Sequence, residues 1–375
     1  MALPQPPHSS DGRHANRTSR LDGFHRAMTG AAARPIIIVC ARSSTAAPSI
    51  HSERARRTGM LSEARYHRGI PLEMSDETFG DLRVSADIAE DGPALRKRLA
   101  EDGYLYLPGY LDRELVLEAR RGELQLFHDL GYLDPDQPLM DGVVSEQYRG
   151  EAANPYGEPE LQKSTKRNQA LRNVLHDGRM IDFYRMLFEE KVRAFDFIWH
   201  RAKTDSQETA SNPHCDIVFM GRGSHRLCTS WTPLGDIPIE MGGLIVLEGS
   251  SHLDHVKSTY GTLDVDRYCT NYDDAAEIED GSKVWQDWVK NGAYNDNAFE
   301  TRQELGGRWL TTDYEAGDLL VFSMFTMHAS MDNHTDRFRL STDTRYQPAS
   351  EPVDERWIGA DPIAHGPDGK IGLIC

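Results

Sequence analysis

Four side chains in the C-terminal half have the types and spacing to do chemistry together. His214 and Asp216 stand two apart in Asn212-Pro213-His214-Cys215-Asp216. In an extended chain, residues two apart share a face, so an imidazole and a carboxylate can reach one ion while Cys215 turns away into packing. That donor set suits a borderline divalent metal and leaves coordination positions open. Alone, His-x-Asp is equally the pattern of a polar loop. A 2-His-1-carboxylate site needs a third ligand, and His328 offers one at the far end of the apolar run Gly317-Asp318-Leu319-Leu320-Val321-Phe322. His328 follows Asp216 by 112 residues, so the two meet only if a sheet closes on itself. Arg339 comes 11 residues after His328, one hairpin away. A guanidinium fork is the natural bidentate partner of a carboxylate. A metal beside such a fork is what a metal-chelating dicarboxylate, for example 2-oxoglutarate, requires.

The elements that must position these residues are mostly strands. From about residue 193 the hydrophobic period changes from 3.6 to 2, with strands expected at 194–203, 217–220, 227–234, 244–247, 319–324 and 337–346. No helices alternate with them. A double-stranded β-helix of the jelly-roll or cupin type therefore fits better than a doubly wound parallel sheet. In residues 337–346, alternation puts Arg337, Arg339, Ser341, Asp343 and Arg345 on one face. Inside a barrel, such a face must be paired or must hold an anion. Upstream, helices are expected at 94–100, at 113–130 with Asp112 as N-cap, and as a pair over 168–189 divided at Asp177-Gly178. The fold class is thus mainly β with flanking helices.

The 375 residues carry 42 basic and 59 acidic side chains, a net charge of −17. So acidic a body disfavours nucleic-acid binding, and no apolar run is long enough to span a membrane. Residues 1–59 differ, with nine arginines, no lysine and three acids. We read residues 1–73 as a disordered or misassigned extension, dispensable up to Met60, with an organelle transit peptide as the alternative. Residues 74–375 form the domain, with a core at about 193–348 and an acidic insertion at 253–312. Five scattered cysteines without a CxxC argue against a disulfide framework and for a reducing, cytoplasmic location.

The chain resembles the phytanoyl-CoA dioxygenase family of iron(II)- and 2-oxoglutarate-dependent oxygenases over about residues 98–348. The likeness rests on Asp102-Gly103-Tyr104, Leu107-Pro108-Gly109-Tyr110-Leu111, His214-Cys215-Asp216, Trp231, Gly242-Gly243-Leu244 and Glu248-Gly249-Ser250-Ser251-His252. It continues through Gly317-Asp318, His328, Arg339-Leu340-Ser341 and Arg345-Tyr346-Gln347-Pro348. The resemblance implies a jelly roll with His214, Asp216 and His328 as iron ligands and Arg339 on the distal carboxylate of 2-oxoglutarate; should an Arg339 substitution leave 2-oxoglutarate affinity unchanged, Arg345 is the first alternative anchor. It implies Ser330 and Trp231 in the cosubstrate pocket, and O2-dependent hydroxylation of a small organic molecule coupled to decarboxylation of 2-oxoglutarate to succinate. Nothing in 253–312 has the basic cluster a coenzyme A pyrophosphate would need. A non-redox cupin-like metal enzyme and a catalytically silent binding protein are the alternatives. Arg339 speaks against the first and the intact ligand set against the second. Asp216 speaks against a halogenase, which vacates that position. His252 reads as structural, His334 as solvated, and His200, His225 and His255 as lacking a carboxylate at ligand spacing. Arg201 and Lys203 share a strand face, either toward an anionic substrate or as a solvated charge pair.

Overall fold

The computed structural model describes residues 64–150, 166–206, 209–284, 287 and 292–375. The expected disorder of residues 1–59, and a start at Met60, lie outside the described residues. The described chain begins inside the expected extension, with a hairpin of β1 (Arg65–His67) and β2 (Ile70–Leu72). This hairpin packs against site-bearing loops: the backbone N–H groups of Arg68 and Gly69 donate to the Asp332 carboxylate at 2.7 and 2.8 Å.

Next come β3 (Phe79–Asp81), helix α1 (Gly92–Asp102), β4 (Tyr104–Leu107) and α2 (Arg113–Asp129). The Asp112 carboxylate accepts from Leu115 N–H, capping α2 as expected. Helices α3 (Gln169–His176) and α4 (Gly178–Phe188) break at Asp177. The β-rich part supplies β5 (Val192–Ala194), β6 (Trp199–Lys203), β7 (Cys228–Pro233), β8 (Leu244–Leu247), β9 (Arg267–Cys269), β10 (Trp309–Thr311), β11 (Leu319–Ser323), β12 (His328–Ser330), β13 (Arg339–Pro348) and β14 (Ile371–Leu373).

Two sheets make the jelly-roll core. One has the order β12-β8-β10-β3; the other has β4-β11-β7-β13-β5, with β6 also on β13. Alternation assigns each strand's two faces. Tyr104, Tyr106, Leu320, Phe322 and Trp231 point inward, with Val246 and Leu310 of the facing sheet. Leu105, Leu107, Leu319, Val321, Leu340 and Tyr346 point outward, under the helices. The charged face of β13 is therefore the inner one, and the whole strand is buried.

Three expectations change. Ile217–Met220 is a single helical turn, α5, not a strand. Four consecutive apolar residues carry no period that separates the two. The 253–312 insertion ends earlier, because Trp309–Thr311 is a sheet strand between β8 and β3. A three-residue strand is too short to show alternation. Finally, Cys269 and Cys375 form a disulfide across 106 residues, beside the parallel pair β9–β14. Two cysteines so far apart show no spacing signal, so the scattered set concealed one bridge.

Candidate metal centre and cosubstrate pocket

His214 and His328 form an isolated antiparallel pair. Each backbone N–H donates to the other's carbonyl at 3.0 Å. A hydrogen-bonded pair of this kind sets the side chains side by side, and the ring centroids are 4.2 Å apart. His214 Nδ1 lies 2.7 Å from Asn212 O, and His328 Nδ1 lies 3.0 Å from Thr326 O. A carbonyl only accepts, so each Nδ1 carries the hydrogen and each Nε2 offers a lone pair. Both Nε2 atoms stand 3.9 Å from Asp216 Oδ1. One ligand atom from each of the three residues lies within 4.8 Å of the others.

Asp216 arrives by a different route from the one alternation suggests. His214 is extended, but Asp216 has φ −63° and ψ −21° and opens α5. The chain turns at the ligand, and its carboxylate is brought back beside the imidazoles. Arg345 Nη2 donates to both carboxylate oxygens at 3.2 and 3.1 Å, and the Thr229 hydroxyl donates to Oδ2. Burial alone would raise the Asp216 pKa. Arg345, the two histidines and Thr229 outweigh it and hold the carboxyl well below its ordinary range. Burial, with His328 adjacent, pushes His214 down to about 3 and also lowers His328. Two neutral imidazoles and an ionised carboxylate are the protonation states a divalent cation binds, so these residues fit a metal.

The cosubstrate end adjoins this cluster. His214, His328, Trp231, Leu244, Lys203 and Arg339 line one cavity. Arg339 faces Lys203 across the β13–β6 register. It is 1% exposed, donates to Ser341 Oγ at 2.7 Å and lies 5.8 Å from the Trp231 ring. Ser330, on β12, accepts from Lys203 Nζ at 2.6 Å.

All six residues singled out in the sequence thus come together. Arg345 does not reach the cosubstrate end; it holds Asp216 and stacks over Trp199 at 4.0 Å. The charged face of β13 flagged Arg345, but nothing in the sequence indicated its partner or Thr229. Lys203 is buried rather than solvated, and Arg201 Nε pairs with Asp343 at 2.8 Å. The other histidines stay apart. His252 Nε2 bonds the Glu101 carbonyl at 2.9 Å, and His334 is exposed. His200 does have a carboxylate near it, Glu123 from α2 at 3.8 Å, a contact between distant segments that spacing did not show. Cys215 is buried in packing as expected.

Comparison with known proteins gives the following. The chain is 26% identical over 282 residues to 1-deoxypentalenic acid 11-beta-hydroxylase of Streptomyces arenae, covering 73% of this chain and 87% of that one. The Streptomyces exfoliatus protein of the same name matches at the same identity and coverage. Among solved structures, the epimerase SnoN in complex with Fe3+, alpha ketoglutarate and nogalamycin RO superposes with a TM-score of 0.43 at 20% identity. That match covers 73% of this chain and 95% of SnoN. EctD from S. alaskensis with 2-oxoglutarate and 5-hydroxyectoine gives 0.43 at 15% identity, covering 83% and 93%. Residues 99–341 match the phytanoyl-CoA dioxygenase (PhyH) family. That span is well over half of the chain and runs from the end of α1 through His214, Asp216 and His328 to Ser341, so the protein belongs to the phytanoyl-CoA dioxygenase family and is an iron(II)- and 2-oxoglutarate-dependent dioxygenase.

Proposed function

We propose that His214, Asp216 and His328 hold the iron(II), and that Arg339, with Ser330 and Trp231, receives the distal carboxylate of 2-oxoglutarate. The observation that carries this reading is the reciprocal His214–His328 backbone pair, which aims two Nε2 lone pairs at the Asp216 carboxylate in a cavity that Arg339 also lines. Iron(II) when bound supplies the oxygen chemistry that couples decarboxylation of 2-oxoglutarate to oxidation of a substrate carbon–hydrogen bond. The chain's residues do the rest. Asn212 and Thr326 carbonyls fix the imidazole tautomers, Arg345 keeps Asp216 ionised, and the Trp231 and Leu244 side chains exclude water from one wall. The substrate is a small organic molecule hydroxylated at carbon, a reading supported by the two Streptomyces hydroxylases. No helix of the described residues is long and apolar enough to cross a membrane, and the Cys269–Cys375 bridge removes the cysteine argument for a reducing compartment.

The test is substrate-stimulated succinate formation by the iron-loaded protein, alongside anaerobic iron titration. His328→Ala should abolish both tight iron binding and turnover; full activity in that variant would overturn the ligand assignment. Arg339→Ala should leave iron binding intact and weaken 2-oxoglutarate by about 2–5 kcal/mol, the cost of truncating one partner of a buried charge pair. An unchanged affinity would place the anchor elsewhere.

A further inference from the structure

A second cavity lies outside the barrel and has no task in the proposed reaction. Its volume is about 420 Å³, within the roughly 300–1,000 Å³ of small-molecule sites. It shares no lining residue with the cavity around Arg339. Strand β7 separates the two. Thr229 points inward and donates to Asp216. Its neighbour Cys228 points outward, into the core beneath the helices, and lines the second cavity. Helix α1 and the end of α4 add apolar wall with Leu99, Leu187 and Phe188.

The charged part of this lining is all basic. Arg96, Arg226, Lys257, His225 and His252 line the cavity, and among the described residues no Asp or Glu does, in a chain of net charge −17. Three of the five are already engaged. Arg96 pairs with Glu189 at 2.6 Å, Arg226 pairs with Glu351 at 2.8 Å, and His252 Nε2 bonds the Glu101 carbonyl. Lys257, on the short helix Asp254–Ser258, is not. Among the described residues no carboxylate lies within ion-pair distance of its ammonium, which sits 5.5 Å from the centroid of the Phe325 ring. His225 meets the same ring edge-on with centroids 5.8 Å apart, so two basic groups converge on one side chain.

A buried donor completes the set. Ser251 lines the cavity and is 8% exposed, and its hydroxyl oxygen is buried with no hydrogen-bond partner among the described residues. A buried hydroxyl without a partner is costly, and an acceptor on a bound molecule removes that cost. An apolar wall beside an unpaired ammonium and an unpaired O–H suits an anion with an apolar body. A neutral molecule would leave the ammonium without a counter-charge.

We propose that this cavity is a second ligand site, outside the catalytic barrel, for a compact amphipathic carboxylate. The apolar body lies against Leu99, Leu187 and Phe188, and the carboxylate accepts from Lys257 and Ser251. The site is independent of metal and cosubstrate, because none of His214, Asp216, His328 and Arg339 lines it.

The test is calorimetric titration of the metal-free full chain with 1-naphthoate and with 1-naphthalenemethanol, its neutral counterpart. 1-Naphthoate should bind about 10-fold more tightly, the low end of what a charged hydrogen bond gives. Lys257→Met should remove that preference and leave the alcohol unchanged. Ala100→Trp sets an indole in the cavity from an exposed position on α1 and should abolish binding of both probes. Saturating iron(II) and 2-oxoglutarate should not displace 1-naphthoate; displacement would place the probe in the barrel and overturn the proposal. So would failure of the wild-type protein to bind 1-naphthoate, equal affinity for the two probes, an unaltered preference in Lys257→Met, or 1-naphthoate binding that survives Ala100→Trp.

Discussion

Asp216 and Asp318 are both buried, 1% and 3% exposed, yet their surroundings drive them in opposite directions. Asp318 follows the Gly317 turn at the start of β11. Its carboxyl accepts from Tyr106 Oη at 2.7 Å, Gly109 N–H at 2.8 Å and Glu315 N–H at 3.0 Å. These bonds favour the anion, but burial outweighs them and raises the Asp318 pKa. Asp216 is more deeply buried, and the Arg345 guanidinium touches both its oxygens. Its pKa falls. The pair teaches that neutral donors can satisfy a buried carboxylate's lone pairs without offsetting the burial that raises its pKa, whereas a contacting cation can outweigh that burial. One site is prepared for a metal. The other is a staple that ties the β4 end to the β11 turn, where Gly317 sits at φ +103° and a Cβ would come within 3.0 Å of Leu111 O.

The sharpest way to break this contrast is to remove the cation. Arg345→Met leaves Asp216 uncompensated and should destabilise the metal-free protein by about 3–5 kcal/mol in urea unfolding. Saturating divalent metal should recover part of that loss, because the ion replaces the guanidinium as counter-charge. A loss unaltered by metal would show that Arg345 serves packing over Trp199 rather than Asp216. At the other site, Asp318→Asn turns an amide NH2 toward at least one existing donor and should cost about 1–3 kcal/mol.

The pH dependence of that stability separates the two acids further. Asp318 is raised, so its contribution is complete below the ordinary carboxyl pKa near ~4 and is lost as pH rises through its native value. Asp216 is lowered, so its contribution is present above the ordinary value and lost as pH falls through its native one. Urea midpoints of the metal-free protein across the acid range should therefore lose the alkaline-side decline in Asp318→Asn and keep the acid-side decline. A variant with an unchanged profile would show that Asp318 does not titrate differently in the native state.

Much of the site was legible because strand chemistry is local. Period-two alternation placed Arg339, Asp343 and Arg345 on one face of β13, and the apolar run of β11 pointed to His328 at the start of the next strand. The Asp112 cap and the break at Asp177 follow from side chains that bond backbone within a turn. Elements too short for a period escaped this reading: α5, with four apolar residues, and β10, with three. The domain's upstream boundary escaped it too, because the β1–β2 hairpin is held by Asp332, more than 260 residues away in the chain.

The sequence by itself determined which chemical groups are present and which neighbours share a face: two imidazoles and a carboxylate for a metal, and a guanidinium for a carboxylate. Only the tertiary structure decided what each group contacts, and so its charge. Arg345 reaches Asp216 across 129 residues, Lys203 reaches Ser330 across 127, and Cys269 reaches Cys375 across 106. The physical reason is that side-chain type and backbone periodicity act over a few residues, whereas ionisation depends on burial and on the charges within a few ångströms. Those neighbours are set by how the two sheets close.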